Sequence, residues 1–254
     1  MADRPDILIA HRGGVVDEER SENSFKALEE AIRRGYSHVE IDARITADGH
    51  VVCFHNDELM EEAGINGCIS EMTRDEAKRV VLTRSGEQIP SFDAYCERCA
   101  GRIGVMIDLK GCSDPFIDRY TAEVQATLRA HDLMDDALIL INKIPRDNQA
   151  PIAERFRGLS RVSWRRPLSE TQEIVARDDS FVGDHYVFNH GEDFSARDVE
   201  GFHALSLQVI PGINTYHYRG QDPMAMGREH IRQLRACGVD GFQIDSCYDP
   251  ELIP

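Results

Sequence analysis

The chain has 254 residues, 41% hydrophobic and 29% charged, an ordinary globular composition at about the length of one (β/α)8 barrel. Its formal net charge of −16, from 29 basic and 45 acidic side chains, disfavours non-specific binding to nucleic acid or to an anionic membrane. No apolar run approaches the roughly 20 residues of a membrane helix, so stable membrane insertion is not expected.

Residues 1–6 carry two acids and a proline ahead of a brief apolar run at 7–10. That run is too short for the apolar region of a secretory signal and reads as the first strand. The seven cysteines are scattered and odd in number, so a disulfide framework is not expected and a cytoplasmic location is. Residues 24–34 have a helical composition, with Asn23 placed to cap them and Gly35 to end them. The second strand is 38–42. A long excursion, 44–102, follows it, opening with the turn signal Asp48-Gly49 that leads into the apolar run 51–54. Pro90-Ser91 starts a helix over 91–100, in which Cys96 and Cys99 read as two ordinary thiols.

Strands at 104–109, 137–141, 160–164, 185–188, 207–211 and 241–244 complete the pattern. Between them lie helical stretches such as 118–130, 169–177 and 226–237, the last ended by Gly238. Eight strands alternating with helices imply an α/β fold, a single (β/α)8 TIM barrel over residues 1–254 with a hairpin-containing insertion after strand two.

Polar residues gather at the strand ends. His11 and Arg12 terminate strand one, and Glu40 and Asp42 share one face of strand two. If Val39 and Ile41 face the helices, both carboxylates face the barrel axis. Asp108 and Lys110 share a face in the same way, and the hairpin delivers His55. Charges pointing into a barrel mouth are costly unless paired or bound to an ion. Three carboxylates at one mouth are relieved by one hard divalent cation, Mg²⁺ or Ca²⁺. Arg12 and Lys110 then suit a phosphoryl group, and His11 and His55 suit proton transfer. Singly, each has a structural reading: a hydrogen-bonded histidine, a salt-bridged Glu40, a solvated Lys110. The joint placement is what points to a site.

These residues resemble the glycerophosphodiester phosphodiesterase family. The similarity runs through Ile9-Ala10-His11-Arg12-Gly13, Glu22-Asn23-Ser24-Phe25, Glu40-Ile41-Asp42 and His55. It continues through Asn66-Gly67, Ile89-Pro90-Ser91 and Ile107-Asp108-Leu109-Lys110, and returns at 238–245, with a weaker match from 113 to 204. The resemblance implies a TIM barrel with Glu40, Asp42 and Asp108 as metal ligands. It also implies His11 and His55 as the acid–base pair, and Arg12 and Lys110 as phosphate-binding residues. The expected reaction is hydrolysis of a small-molecule phosphodiester to an alcohol and glycerol 3-phosphate. The expected cofactor is one divalent cation, and the partners are that substrate and, at most, further copies of the chain.

Three departures from the family pattern stand out. Asp108 occupies a position usually held by Glu, Asn56 follows His55 where Asp is usual, and Gly212-Ile213-Asn214-Thr215 replaces a tryptophan-bearing strand. An aromatic wall rebuilt by Tyr216, Tyr218 or Trp164 is one expectation. Other readings are a lysophospholipase D or sphingomyelinase D-like enzyme forming a cyclic phosphate, a metal-dependent lyase or isomerase, and a barrel that binds phosphodiesters without turnover.

Overall fold

The computed structural model describes residues 6–113 and 115–253. The sequence reading of residues 1–5 lies outside them. Nine strands are present among the described residues: β1 Ile7–Ala10, β2 His38–Ile45, β3 Val51–Cys53, β4 Gly104–Lys110, β5 Leu138–Leu140, β6 Arg161–Trp164, β7 His185–His190, β8 Val209–Ile213 and β9 Gly241–Ile244. All except β3 are parallel to their neighbours, in the order β1-β9-β8-β7-β6-β5-β4-β2, and pairing of β1 with β2 closes the ring. This is a TIM barrel.

Alternation along each strand sorts side chains into two layers. Ile9, Met106, Leu138, Leu140, Tyr186, Phe188 and Ile210 fill the barrel. Leu8, Val39, Ile41, Val105, Ile107, Ile139 and Phe242 point outward and pack with Leu28, Tyr95, Tyr120, Val124 and Ile231 of the surrounding helices. Each such aliphatic contributes about 1.5–3 kcal/mol by leaving water. Val39 and Ile41 therefore face the helices, and Glu40 and Asp42 face the axis.

The first helix, Phe25–Arg34, begins one residue later than its expected cap suggests. Ser24, not Asn23, is the cap, its hydroxyl accepting the Ala27 N–H at 3.2 Å. Asn23 is engaged at the barrel mouth instead. The helix ends at Gly35, whose φ of 80° lies where only glycine is unstrained, and Arg33 and Arg34 face the negative end of its dipole.

β2 runs three residues beyond the expected 38–42 because its end, Ala43 to Ile45, pairs with β3. The turn between them is held by Thr46 Oγ1, which donates to Asp48 Oδ1 at 2.6 Å and accepts the His50 N–H at 3.1 Å. The excursion then builds a small core of its own from Val52, Phe54, Leu59, Ile69, Val80, Leu82 and Ile89. The helix Phe92–Cys99 belongs to the barrel, since Phe92, Tyr95, Cys96 and Cys99 join the main core. Burial pushes the Cys99 thiol up to about 12 and raises Cys96 likewise, which suits buried, unreactive thiols.

Candidate active site

Parallel register sets the centre. Asp42 lies level with Asp108 and Arg44 with Lys110 across the β2–β4 pair, while Glu40 is level with Met106. Neighbouring parallel strands are about 4.8 Å apart, so inward side chains at one level must meet. One carboxylate oxygen from each of Glu40, Asp42 and Asp108 lies within 4.8 Å of the other two, and all three residues are buried. Asp108 thus faces the mouth alongside the β2 acids, despite its shorter side chain. Lys110 reaches back with Nζ 2.5 Å from Asp108 Oδ2 and 3.0 Å from Asp42 Oδ1.

One lysine against three carboxylates leaves charge uncompensated. Burial, then Asp42, pushes the Glu40 carboxyl well above its usual range. Burial opposes ionisation of Asp42 too, but Lys110, His55 and the Asn23 amide outweigh it and hold Asp42 below the usual carboxylate range. Asp42 Oδ1 is buried, and its 3.0 Å approach to Lys110 lacks hydrogen-bond alignment. An orphaned carboxylate oxygen among hard oxygen donors fits a divalent cation such as Mg²⁺ or Ca²⁺.

The loop after β1 wraps this cluster. The Arg12 N–H donates to Glu40 Oε2 at 2.7 Å, and the Gly13 N–H to the Glu40 carbonyl at 2.6 Å. Arg12 adopts φ 54°, unusual for a non-glycine residue. It is held there by Asn23, whose N–H donates to the Arg12 carbonyl at 2.8 Å, and by its own ion pair to Glu22 at 2.5 Å. A side chain at Gly13 would collide with the Asn23 backbone and one at Gly14 with Ala27, so the close packing of this loop on the helix start requires both glycines. Asn23 Nδ2 donates to Asp42 Oδ2 at 2.8 Å, and its Oδ1 accepts the Asp42 N–H at 3.0 Å.

Two imidazoles flank the carboxylates. His11 Nδ1 is 2.6 Å from Asp245 Oδ1, at the end of β9. Asp245 Oδ2 accepts from the Thr215 N–H and hydroxyl, both at 2.7 Å. Burial opposes its ionisation, but the His11 and Thr215 contacts hold it at about 2. A carboxylate on Nδ1 leaves His11 Nε2 for proton transfer. His55 is oriented differently, its Nδ1 meeting the neutral Asn56 Oδ1 at 2.9 Å, while Arg44 donates to its carbonyl at 2.6 Å. Burial lowers His55 to about 4 against the opposing pull of Asp42.

Of the three aromatic candidates for a rebuilt wall, only Tyr216 lines the mouth, 6.0 Å from the His11 ring. Tyr218 is buried behind it against His230, and Trp164 packs in the outer layer on Phe181. Trp164 is at an outward position of β6, which composition cannot reveal. Asp245, Lys143, His190 and His217 also shape the site without having been given roles from sequence, and Asn23, read there as a helix cap, serves the site instead. Asp245 and Asn23 lie inside quoted motifs, which was the available signal. For the other three there was none.

Residues 11–135 match the model of the "Glycerophosphoryl diester phosphodiesterase family". A glycerophosphodiester phosphodiesterase of Caldanaerobacter subterraneus is 30% identical over 92 residues, covering 34% of this chain and 37% of that protein. Even for a Bacillus subtilis relative the match spans 61% of its length, so the chain aligns with less than two thirds of these curated relatives. Among solved structures, a glycerophosphodiester phosphodiesterase from Parabacteroides distasonis superposes with a TM-score of 0.73 at 21% identity, covering 96% of this chain and 94% of that one. A phosphodiesterase from Oleispira antarctica, solved with its product sn-glycerol-3-phosphate, gives 0.71 at 21% identity, covering 95% and 93%.

Proposed function

Since the chain belongs to the glycerophosphoryl diester phosphodiesterase family, we propose that it hydrolyses glycerophosphodiesters to an alcohol and glycerol 3-phosphate. The observation that carries this is the buried Glu40–Asp42–Asp108 cluster beside the Asp245-bound His11. The product complex of the Oleispira protein supports the same substrate class.

Glu40, Asp42 and Asp108 would hold one divalent ion, Mg²⁺ or Ca²⁺. Bound there, it would supply polarisation of the phosphoryl oxygens and offset their charge. Arg12 and Lys110 bind non-bridging oxygens, Lys110 as a point charge and Arg12 as a planar donor fixed by Glu22. His11 and His55 divide the proton transfers. One takes the proton of the attacking nucleophile, and the other donates to the departing alkoxide. Tyr216 and, from the insertion, Glu61, Glu62 and Arg84 border the cleft at His11 and Arg12.

No helix among the described residues is long and apolar enough to cross a membrane. A cytoplasmic location belongs to this reading, supported by the free, buried thiols of Cys53, Cys96 and Cys99.

The test is release of glycerol 3-phosphate from a panel of glycerophosphodiesters, with Mg²⁺, Ca²⁺ or chelator. Release that needs the ion is expected. Full turnover by metal-free protein removes the cation from the reading, and no release from any diester removes the hydrolase.

A further inference from the structure

Opposite the β2 acids, the mouth is lined by residues at the ends of β5, β6, β7 and β8, and here its chemistry changes. Lys143, Arg165, His190, Asn214, Tyr216 and His217 border one cleft that also contains His11, Glu40, Asp108 and Lys110. Arg165 is held by Asp193 at 3.4 Å. Lys143 has no hydrogen-bond or ion-pair partner among the described residues; its ammonium sits 5.7 Å from the centre of the Tyr216 ring.

The imidazoles beside it are also incompletely used. His190 and His217 meet edge to face with ring centres 3.9 Å apart. His190 Nδ1 and His217 Nε2 are buried without hydrogen-bond partners. The Asn214 N–H donates to His217 Nδ1 at 3.4 Å, which places the ring proton on Nε2. Burial and then His190 hold His217 down to about 3, so it is a neutral donor. A buried donor left unpaired is costly, and an incoming acceptor oxygen would relieve it. Asp193, beside this cleft, is already engaged by Arg165.

We propose that Lys143 and His217 form a subsite for a second anionic group, phosphate or carboxylate, carried by the alcohol half of the diester. The preferred substrates are then phosphodiesters with an anionic head group. This rests on the hydrolase reading above and specifies its substrate class.

The experiment compares glycerophosphoglycerol with the same molecule bearing a terminal phosphomonoester, in Mg²⁺. Wild type is expected to favour the phosphorylated diester in kcat/KM by about tenfold, the scale of one charge-assisted hydrogen bond. Lys143→Gln should bring the ratio close to one. His217→Phe, which keeps the ring volume but removes the donor, should lower it severalfold. A general structural defect lowers both substrates alike and leaves the ratio; that result overturns the subsite, as does a wild-type ratio at or below one. Equilibrium binding of the two diesters is measured alongside. If neither is hydrolysed, tighter binding of the phosphorylated one that depends on Lys143 upholds the subsite while the hydrolase reading falls. Equal binding then overturns both.

Discussion

His11 Nδ1 and Asp245 Oδ1 meet at 2.6 Å across a sequence separation of 234 residues, because the first strand, β1, pairs with the last, β9. The contact fixes the ring with Nε2 toward the mouth. Asp245→Asn keeps the shape but substitutes a neutral amide that can also donate, so the imidazole can take the other tautomer. We expect kcat to fall by about a hundredfold or more while the fold is retained, the scale of losing a positioned acid or base. An unchanged kcat would make Asp245 merely structural.

His11→Ala and His55→Ala should each lower kcat by about two orders of magnitude. An aryl phosphodiester, whose leaving group needs no proton, should partly restore whichever variant lacks the acid. Identical behaviour of the two variants on aryl and alkyl diesters would show that the roles are not divided.

For the carboxylate cluster, Glu40→Gln is expected to abolish both turnover and the upward shift in Tm caused by the ion, leaving the barrel folded. Losing a buried carboxylate that sits near two others removes repulsion. Asp108→Glu should retain activity, and Asp108→Ala should weaken ion binding without abolishing it. Calorimetric titration with Mg²⁺ and Ca²⁺ checks both; undiminished affinity in Asp108→Ala would remove that residue from the ligand set.

Asn23→Ala removes both hydrogen bonds to Asp42, leaving its buried N–H unpaired. The expected loss is about 1–3 kcal/mol of stability in urea unfolding, with weaker ion binding. Lower stability with unchanged ion binding would show that the Asn23 amide does not position Asp42 for the ion.

Away from the site, burial and then Arg161 lower His38 from 6.5 to about 4. Between those values the unfolded chain binds the proton more readily than the folded one. Stability therefore falls as pH drops from about 6.5 to about 4, by up to about 3 kcal/mol from this residue. In His38→Gln the difference from wild type should track that window. Parallel stability curves for the two proteins would show that His38 titrates normally.

Much of the architecture was legible because its signals are local. Alternation in Val39-Glu40-Ile41-Asp42 and Ile107-Asp108-Leu109-Lys110 declares which side chains share a face, whatever lies around them. Strand ends were less legible. β2 is longer than its composition implies because β3 supplies hydrogen bonds to Ala43, Arg44 and Ile45. The role of Asn23 was hidden for a similar reason: an asparagine just before a helix has the composition of a cap, and only the packing of β1's loop on that helix turns its amide toward Asp42.

The sequence by itself determined the strand–helix alternation and that Glu40 shares a face with Asp42 and Asp108 with Lys110, since side-chain period and turn chemistry depend on neighbours a few residues away. Tertiary structure decided what those groups face. Closure of β1 onto both β2 and β9 brings Asp245 to His11, and β8 carries Tyr216 and His217 over the same mouth that β2 and β4 supply with carboxylates. The same closure leaves Trp164 on the outside, against Phe181. Such meetings depend on how the ring of strands closes, and barrel closure is a property of the whole sheet.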